Sequence, residues 1–132
     1  MNTPIHRFRF AARTVFVLAT VALLTATHWP GLSIESEVFS RVDLIIHAGV
    51  FFVWAMLFYN ARLIANGDHS RPVCFKRRIT WTIVVAILFA LFDELTQPYF
   101  NRVADPLDAL ADTLGILLAA GGIVLCSKLR QP

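Results

Sequence analysis

Four long apolar segments occupy most of this 132-residue chain. A helix of roughly 20 residues crosses the hydrocarbon core of a bilayer, about 30 Å thick, because an α-helix rises about 1.5 Å per residue. Helices satisfy their backbone hydrogen bonds within one segment, which lipid requires. The sequence therefore predicts an all-α fold in which a single domain, residues 1–132, forms a transmembrane bundle of four helices at about 8–29, 42–64, 79–97 and 107–127.

The composition excludes an ordinary soluble domain. Apolar residue types make up 57% of the chain and charged types only 16%, whereas soluble domains contain about 25% charged residues. Too few polar side chains are present to cover a water-soluble surface. We therefore expect most of the exterior to contact the lipid bilayer.

The basic residues predict the orientation of the bundle. If the N-terminus is cytoplasmic and the helices alternate, all of the 12 Lys and Arg residues except Arg41 and Arg102 lie on the cytoplasmic side. The acidic residues show the opposite bias, with only Asp68 inside. Both counts predict cytoplasmic N- and C-termini. The basic run at 76–78 is then a topology determinant or an anionic-lipid contact, and no nucleic-acid partner is expected.

Polar residues recur at the predicted outer ends of the second and third helices. Asp43 and His47 are four residues apart, so they project from one face of the second helix. Asp93 and Gln97 repeat this spacing at the end of the third helix, with Glu94 beside Asp93. Ionisable groups cost roughly 2.5–3.5 kcal/mol each at membrane depth and usually mark function.

The fourth helix carries carboxylates and small residues on one stripe. Steps of three or four residues separate Asp105, Asp108, Asp112, Gly115, Ala119 and Gly122. Small residues allow a neighbouring helix to approach closely. Carboxylates near the N-terminus of a helix suit its dipole.

Together these residues predict an outward-facing acidic pocket. Its expected members are Asp43, His47, Asp93, Glu94, Gln97, Arg102, Asp105, Asp108 and Asp112. We expect Arg102 to pair with Asp105 or Asp108, since a guanidinium can bridge carboxylates. The structural alternative is that Asp43, Asp105 and Asp108 cap helices and that the other members clamp the bundle together.

The sequence assigns neither a cofactor nor a metal ligand. An oxygen-rich set would suit Mg²⁺, Ca²⁺ or Mn²⁺ if a cation bound there, and a single His without a nearby thiolate disfavours structural zinc. No Ser or Cys lies at the same level, which argues against covalent catalysis.

Taken in order, these motifs resemble the VanZ-like family of bacterial membrane proteins, named for an accessory factor in glycopeptide (teicoplanin) resistance. The resemblance covers about 41–122 and includes Asp43 with His47, Asp93-Glu94 with Gln97, and then Arg102, Asp105, Asp108 and Gly115. The family commonly has Asn where this chain has Asp112, and Gly where it has Asn101. The resemblance implies a multi-pass protein of the bacterial cytoplasmic membrane, without a settled reaction.

Three hypotheses follow. In the first, which we favour, the protein is a binding module whose pocket recognises a cell-envelope component, such as a lipid-linked wall precursor, or limits access of a glycopeptide. In the second, it is a metal-dependent enzyme acting on lipid headgroups or wall precursors, with His47 as general base. In the third, it is a proton-coupled transporter, which with four helices would require an oligomer; the mostly apolar residues beyond Asp112 count against it.

Overall fold

The computed structural model describes residues 4–29, 39–61, 63 and 72–129. Its helices are α1 (Pro4–Thr27), α2 (Phe39–Ala61), α3 (Pro72–Thr96) and α4 (Pro106–Leu129), and a 3₁₀ helix (Gln97–Phe100) follows α3. No strand occurs in these ranges. All four α-helices are long and apolar enough to cross a membrane. The prediction of an all-α bundle of four such helices is confirmed.

Every helix begins before the predicted apolar segment, whereas α1, α2 and α3 end one to three residues before the predicted ends. The largest difference is at α3, which begins at Pro72 instead of 79 and so includes the basic run at 76–78. Proline suits the first turn of a helix, because the N–H that it lacks would have no partner there. Hydropathy identifies only the part of a helix that lipid surrounds, and long basic side chains can continue the helix into the headgroups. The connection between α3 and α4 begins with the 3₁₀ helix Gln97–Phe100.

Helix α2 lies at the centre and packs against the other three helices. The indole of Trp54 stacks on Phe58 and on Phe89 of α3, with centroid distances of 5.5 and 4.5 Å. Phe16 of α1 packs against the same indole at 5.2 Å, and the indole N–H donates to Thr20 Oγ1 at 3.0 Å. A buried aromatic cluster therefore joins three helices in mid-bundle.

Helices α2 and α4 touch backbone to backbone at Gly115. A Cβ added there would overlap the carbonyl oxygen of Ala48 and lie 2.8 Å from its carbonyl carbon. Ala119, one turn further along α4, is fully buried, whereas a Cβ at Gly122 would have no atom within 4 Å. The close approach of the two backbones is therefore at Gly115, one turn from the carboxylates of α4.

Basic side chains cap the C-terminal end of α2. Arg13 Nε donates to the carbonyl oxygen of Ala61 at 3.3 Å. Arg78 donates to the carbonyl oxygen of Tyr59, and its guanidinium lies 3.7 Å from the centre of the Tyr59 ring. The last carbonyls of a helix lack partners within the helix, and cations are favourable there. These contacts join α1 and α3 to α2 at the end opposite the acidic residues.

A left-handed residue ends the 3₁₀ helix. Asn101 has φ 57° and ψ 34°, and its N–H bonds to the carbonyl of Pro98 at 3.3 Å. Asn tolerates this conformation better than most residues other than glycine. The end of the 3₁₀ helix therefore requires a residue that tolerates a positive φ, and Asn101 meets this requirement.

We predict that Gly115→Ala destabilises the bundle and that Gly122→Ala does not. The new Cβ at position 115 would force two backbones apart, and overpacking costs about 1–3 kcal/mol. The free energy of unfolding can be measured in detergent micelles by titration with sodium dodecyl sulfate, with tryptophan fluorescence as the signal. Equal stability of the two variants would contradict this account of the α2–α4 contact.

Candidate functional site

His47 of α2 lies between two carboxylates of α4. Its Nδ1 is 3.0 Å from Asp112 Oδ1, and its Nε2 is 3.7 Å from Asp108 Oδ2. Asp112 is fully buried and His47 is 8% exposed. Because Asp108 and Asp112 are four residues apart, they share the face of α4 that packs on α2. The imidazole thus has a carboxylate beside each nitrogen.

Helix α3 contributes Glu94 and Gln97 to the same place. Gln97 Nε2 donates to Glu94 Oε1 at 3.2 Å, and both side chains are buried. A ring nitrogen of His47, an oxygen of Glu94 and an oxygen of Asp112 all lie within 4.8 Å of one another. The same limit holds for a second group, Asp43, His47 and Asp108. The structure thus brings His47 together with four of the predicted carboxylates of the pocket, Asp43, Glu94, Asp108 and Asp112.

Asp93 faces a different neighbour, α1. Thr27 Oγ1 donates to Asp93 Oδ1 at 2.8 Å, and His28 Nδ1 is 3.7 Å from the same oxygen. His28 Nε2 also lies 2.8 Å from Thr96 Oγ1. Neither Thr27 nor His28 belongs to the pocket predicted from the sequence. They could have been predicted, because they form a polar pair at the end of the first apolar segment. That end lies at the same predicted depth as the acidic residues of the other helices.

Arg102 lies in the wall of a cavity instead of in an ion pair with α4. The cavity has a volume of about 220 Å³, and its polar lining consists of Thr27, Asp43, His47 and Arg102. Every ion pair found in the described part of the chain involves His28 or His47. The expected pairing of Arg102 with Asp105 or Asp108 is therefore not observed.

Asp105 has a local role that explains the missing pair. Its Oδ1 accepts the backbone N–H of Leu107 at 2.8 Å, at the first turn of α4. An N-terminal carboxylate of this kind satisfies a helix donor that would otherwise lack a partner. Asp105 is exposed and belongs to neither group around His47.

Three buried carboxylates are incompletely satisfied. Asp93 Oδ2, Glu94 Oε2 and Asp112 Oδ2 have no hydrogen-bond partner among the described residues. A buried polar atom without a partner costs about 1–3 kcal/mol, and more when it is charged. Such atoms are uncommon in folded proteins, and these three carboxylates lie at the same end of a membrane-compatible bundle.

Comparisons with known proteins give a match at the level of the family. The model of the family described as VanZ/LLP1 matches residues 5–127. No curated protein and no solved structure matches the chain. The matched range includes every residue of the pocket and reaches from α1 into the last turns of α4.

We predict that Thr27→Val destabilises the protein more than Thr25→Val. Thr25 Oγ1 lies 2.8 Å from the carbonyl oxygen of Val21. Thr27 Oγ1 has a similar carbonyl neighbour, that of Leu23 at 3.1 Å, but its single proton can also be donated to the buried Asp93 at 2.8 Å. Loss of a hydrogen bond to a buried carboxylate costs about 1.5–3 kcal/mol. Unfolding in detergent measures the difference, and equal losses would show that α1 is not held by this contact.

Proposed function

The chain belongs to the VanZ/LLP1 family, and we propose that its polar cavity binds the headgroup of an amphiphilic cell-envelope molecule. In this proposal the protein is a multi-pass protein of the bacterial cytoplasmic membrane, with the cavity on the outer side. The four apolar helices and the basic residues at the opposite end of the bundle support this orientation.

One observation carries the proposal: the polar cavity continues into an apolar groove. The groove, of about 410 Å³, runs between α1 and α2. The two spaces share Leu23, Ile46 and Val50 in their linings, and the groove continues along Val53 to Leu57. A molecule with a polar head and a long hydrocarbon chain would match both spaces at once.

The lining of the cavity favours a polar headgroup with separate charged or hydrogen-bonding parts. Arg102 offers a guanidinium that binds phosphate or carboxylate oxygens. Asp43 and His47 offer partners for hydroxyl or ammonium groups. A lipid-linked wall precursor has this combination of a phosphate, further polar groups and an apolar chain.

An influence on glycopeptide susceptibility follows from this proposal. A wall precursor held by the cavity would be less accessible to a glycopeptide in the surrounding medium. The resemblance to a teicoplanin-resistance factor motivates this part of the proposal.

The contact between His47 and Asp112 favours one alternative, a metal-dependent enzyme that acts on lipid headgroups or wall precursors. Asp112 lies 3.0 Å from His47 Nδ1, and a carboxylate in this position orients an imidazole as a general base. The base would then act through Nε2, which lies on the side of Asp108 and Asp43.

We predict that Val53→Trp weakens lipid binding and that Val84→Trp does not. Val53 lines the groove, whereas Val84 is a partly exposed residue of α3 outside it. Filling the groove displaces two or more methylene groups, each worth about 0.8 kcal/mol, so binding should weaken by about tenfold or more. Native mass spectrometry with added polyprenyl phosphate, and separately with phosphatidylethanolamine, measures the bound fraction. Equal binding by both variants would contradict the proposal.

In cells, we predict that the wild-type protein lowers teicoplanin susceptibility and that His47→Ala and Asp108→Ala remove this effect. Both substitutions delete polar groups at the headgroup end while leaving the groove intact. The minimum inhibitory concentration should be compared among strains with matched membrane levels of each protein and a strain without it. Equal values in all strains would exclude a role in resistance.

A further inference from the structure

Three buried side chains from three helices converge on one point. A ring nitrogen of His47 and one carboxylate oxygen each of Glu94 and Asp112 lie within 4.8 Å of one another. The residues are 8%, 5% and 0% exposed. Ligands at right angles around an octahedral ion, each about 2.1 Å from it, lie about 3.0 Å apart. His47 Nδ1 and Asp112 Oδ1 are separated by 3.0 Å, which is compatible with such a pair.

Two oxygens in this group lack the partners that a buried carboxylate requires. Glu94 Oε1 accepts from Gln97, but Glu94 Oε2 and Asp112 Oδ2 have no hydrogen-bond partner in the described part of the protein. A buried charge is tolerated when it is paired or coordinates a metal. A cation bound to these carboxylates would neutralise the charge that the two unpartnered oxygens share.

The charge of the surrounding residues also favours a bound cation. Asp43 and Asp108 form the second group around His47, so four carboxylates surround one imidazole. In the described ranges, the side chains found in ion-pair contact with carboxylates are the imidazoles of His28 and His47. Arg102 lines the neighbouring cavity. A divalent cation would offset this concentration of negative charge in a bundle surrounded by lipid.

We propose that His47, Glu94 and Asp112 bind a divalent metal cation. Imidazole nitrogen together with carboxylate oxygen favours Mn²⁺ or a similar first-row ion over Ca²⁺, which prefers oxygen ligands alone. The cavity lined by Asp43 and His47 gives the ion access from outside the bundle. The amide of Gln97 donates to Glu94 Oε1 and so holds that carboxylate in position. This cation site shares His47 with the cavity that we propose binds an amphiphile, but it does not require that an amphiphile bind.

The test is a Mn²⁺ titration of the purified full-length protein in detergent after treatment with a chelator, with no lipid added. Electron paramagnetic resonance of free Mn²⁺ gives the bound fraction. The wild type should bind one Mn²⁺ per chain, and His47→Gln, Glu94→Gln and Asp112→Ala should each weaken binding by about tenfold or more, since each removes a ligand or its charge. Asp105→Asn is the control: it removes a carboxylate from the same end of α4 but retains a capping oxygen, so Mn²⁺ binding should be unchanged.

Thermal unfolding distinguishes loss of the site from loss of the fold. At the same Mn²⁺ concentration, the melting temperature of the wild type and of Asp105→Asn should rise more than that of Glu94→Gln, because a ligand that binds only the folded state stabilises it according to its affinity. Absence of Mn²⁺ binding by the wild type, or equal affinities of the wild type and Glu94→Gln, would overturn the cation site. Binding of Mn²⁺ by a protein that binds no lipid would overturn the proposed function and leave the cation site standing.

Discussion

The structure depends on a constraint that lipid imposes: ionisable groups within the bundle must find their partners on other helices. The contact between His47 and Asp112, at 3.0 Å, meets this constraint where α2 and α4 are closest. Gly115 allows that approach by touching the backbone at Ala48, the residue that follows His47. The close packing at Gly115 therefore supports the contact between His47 and Asp112. At this end of the molecule, a change in helix packing would also change the polar contacts.

Helix α1 has a larger part in the site than a simple membrane anchor would. It is held in mid-bundle by the packing of Phe16 against Trp54 and at the site by the hydroxyl of Thr27 on Asp93. It also forms one wall of both the polar cavity and the apolar groove. The space between α1 and α2 is therefore where a molecule from the surrounding lipid could reach the polar residues.

The sequence was sufficient to predict the fold class. It was also sufficient to predict that polar residues of α2, α3 and α4 lie at the same end of the bundle. Apolar length gave the helices, and the four-residue spacing of Asp43 and His47 gave their common face. Periodicity does not give the order of helices around a bundle or their rotation. The bond between Thr27 and Asp93, 66 residues apart, was missed for that reason. The predicted ion pair of Arg102 with Asp105 or Asp108 was wrong. Charge alone does not show that Asp105 accepts a backbone N–H at the start of α4.

The two nitrogens of His47 face different surroundings, one beside the buried Asp112 and the other beside the more exposed Asp108. A neutral imidazole carries a single N–H, which can sit on either nitrogen. Donation by the neutral ring to one carboxylate leaves a lone pair facing the other, whereas a protonated ring can donate to both. The position of the proton on the ring therefore couples Asp108 to Asp112. A group that binds Asp108 affects whether Nε2 carries the proton, and so affects whether Nδ1 can donate to the buried Asp112.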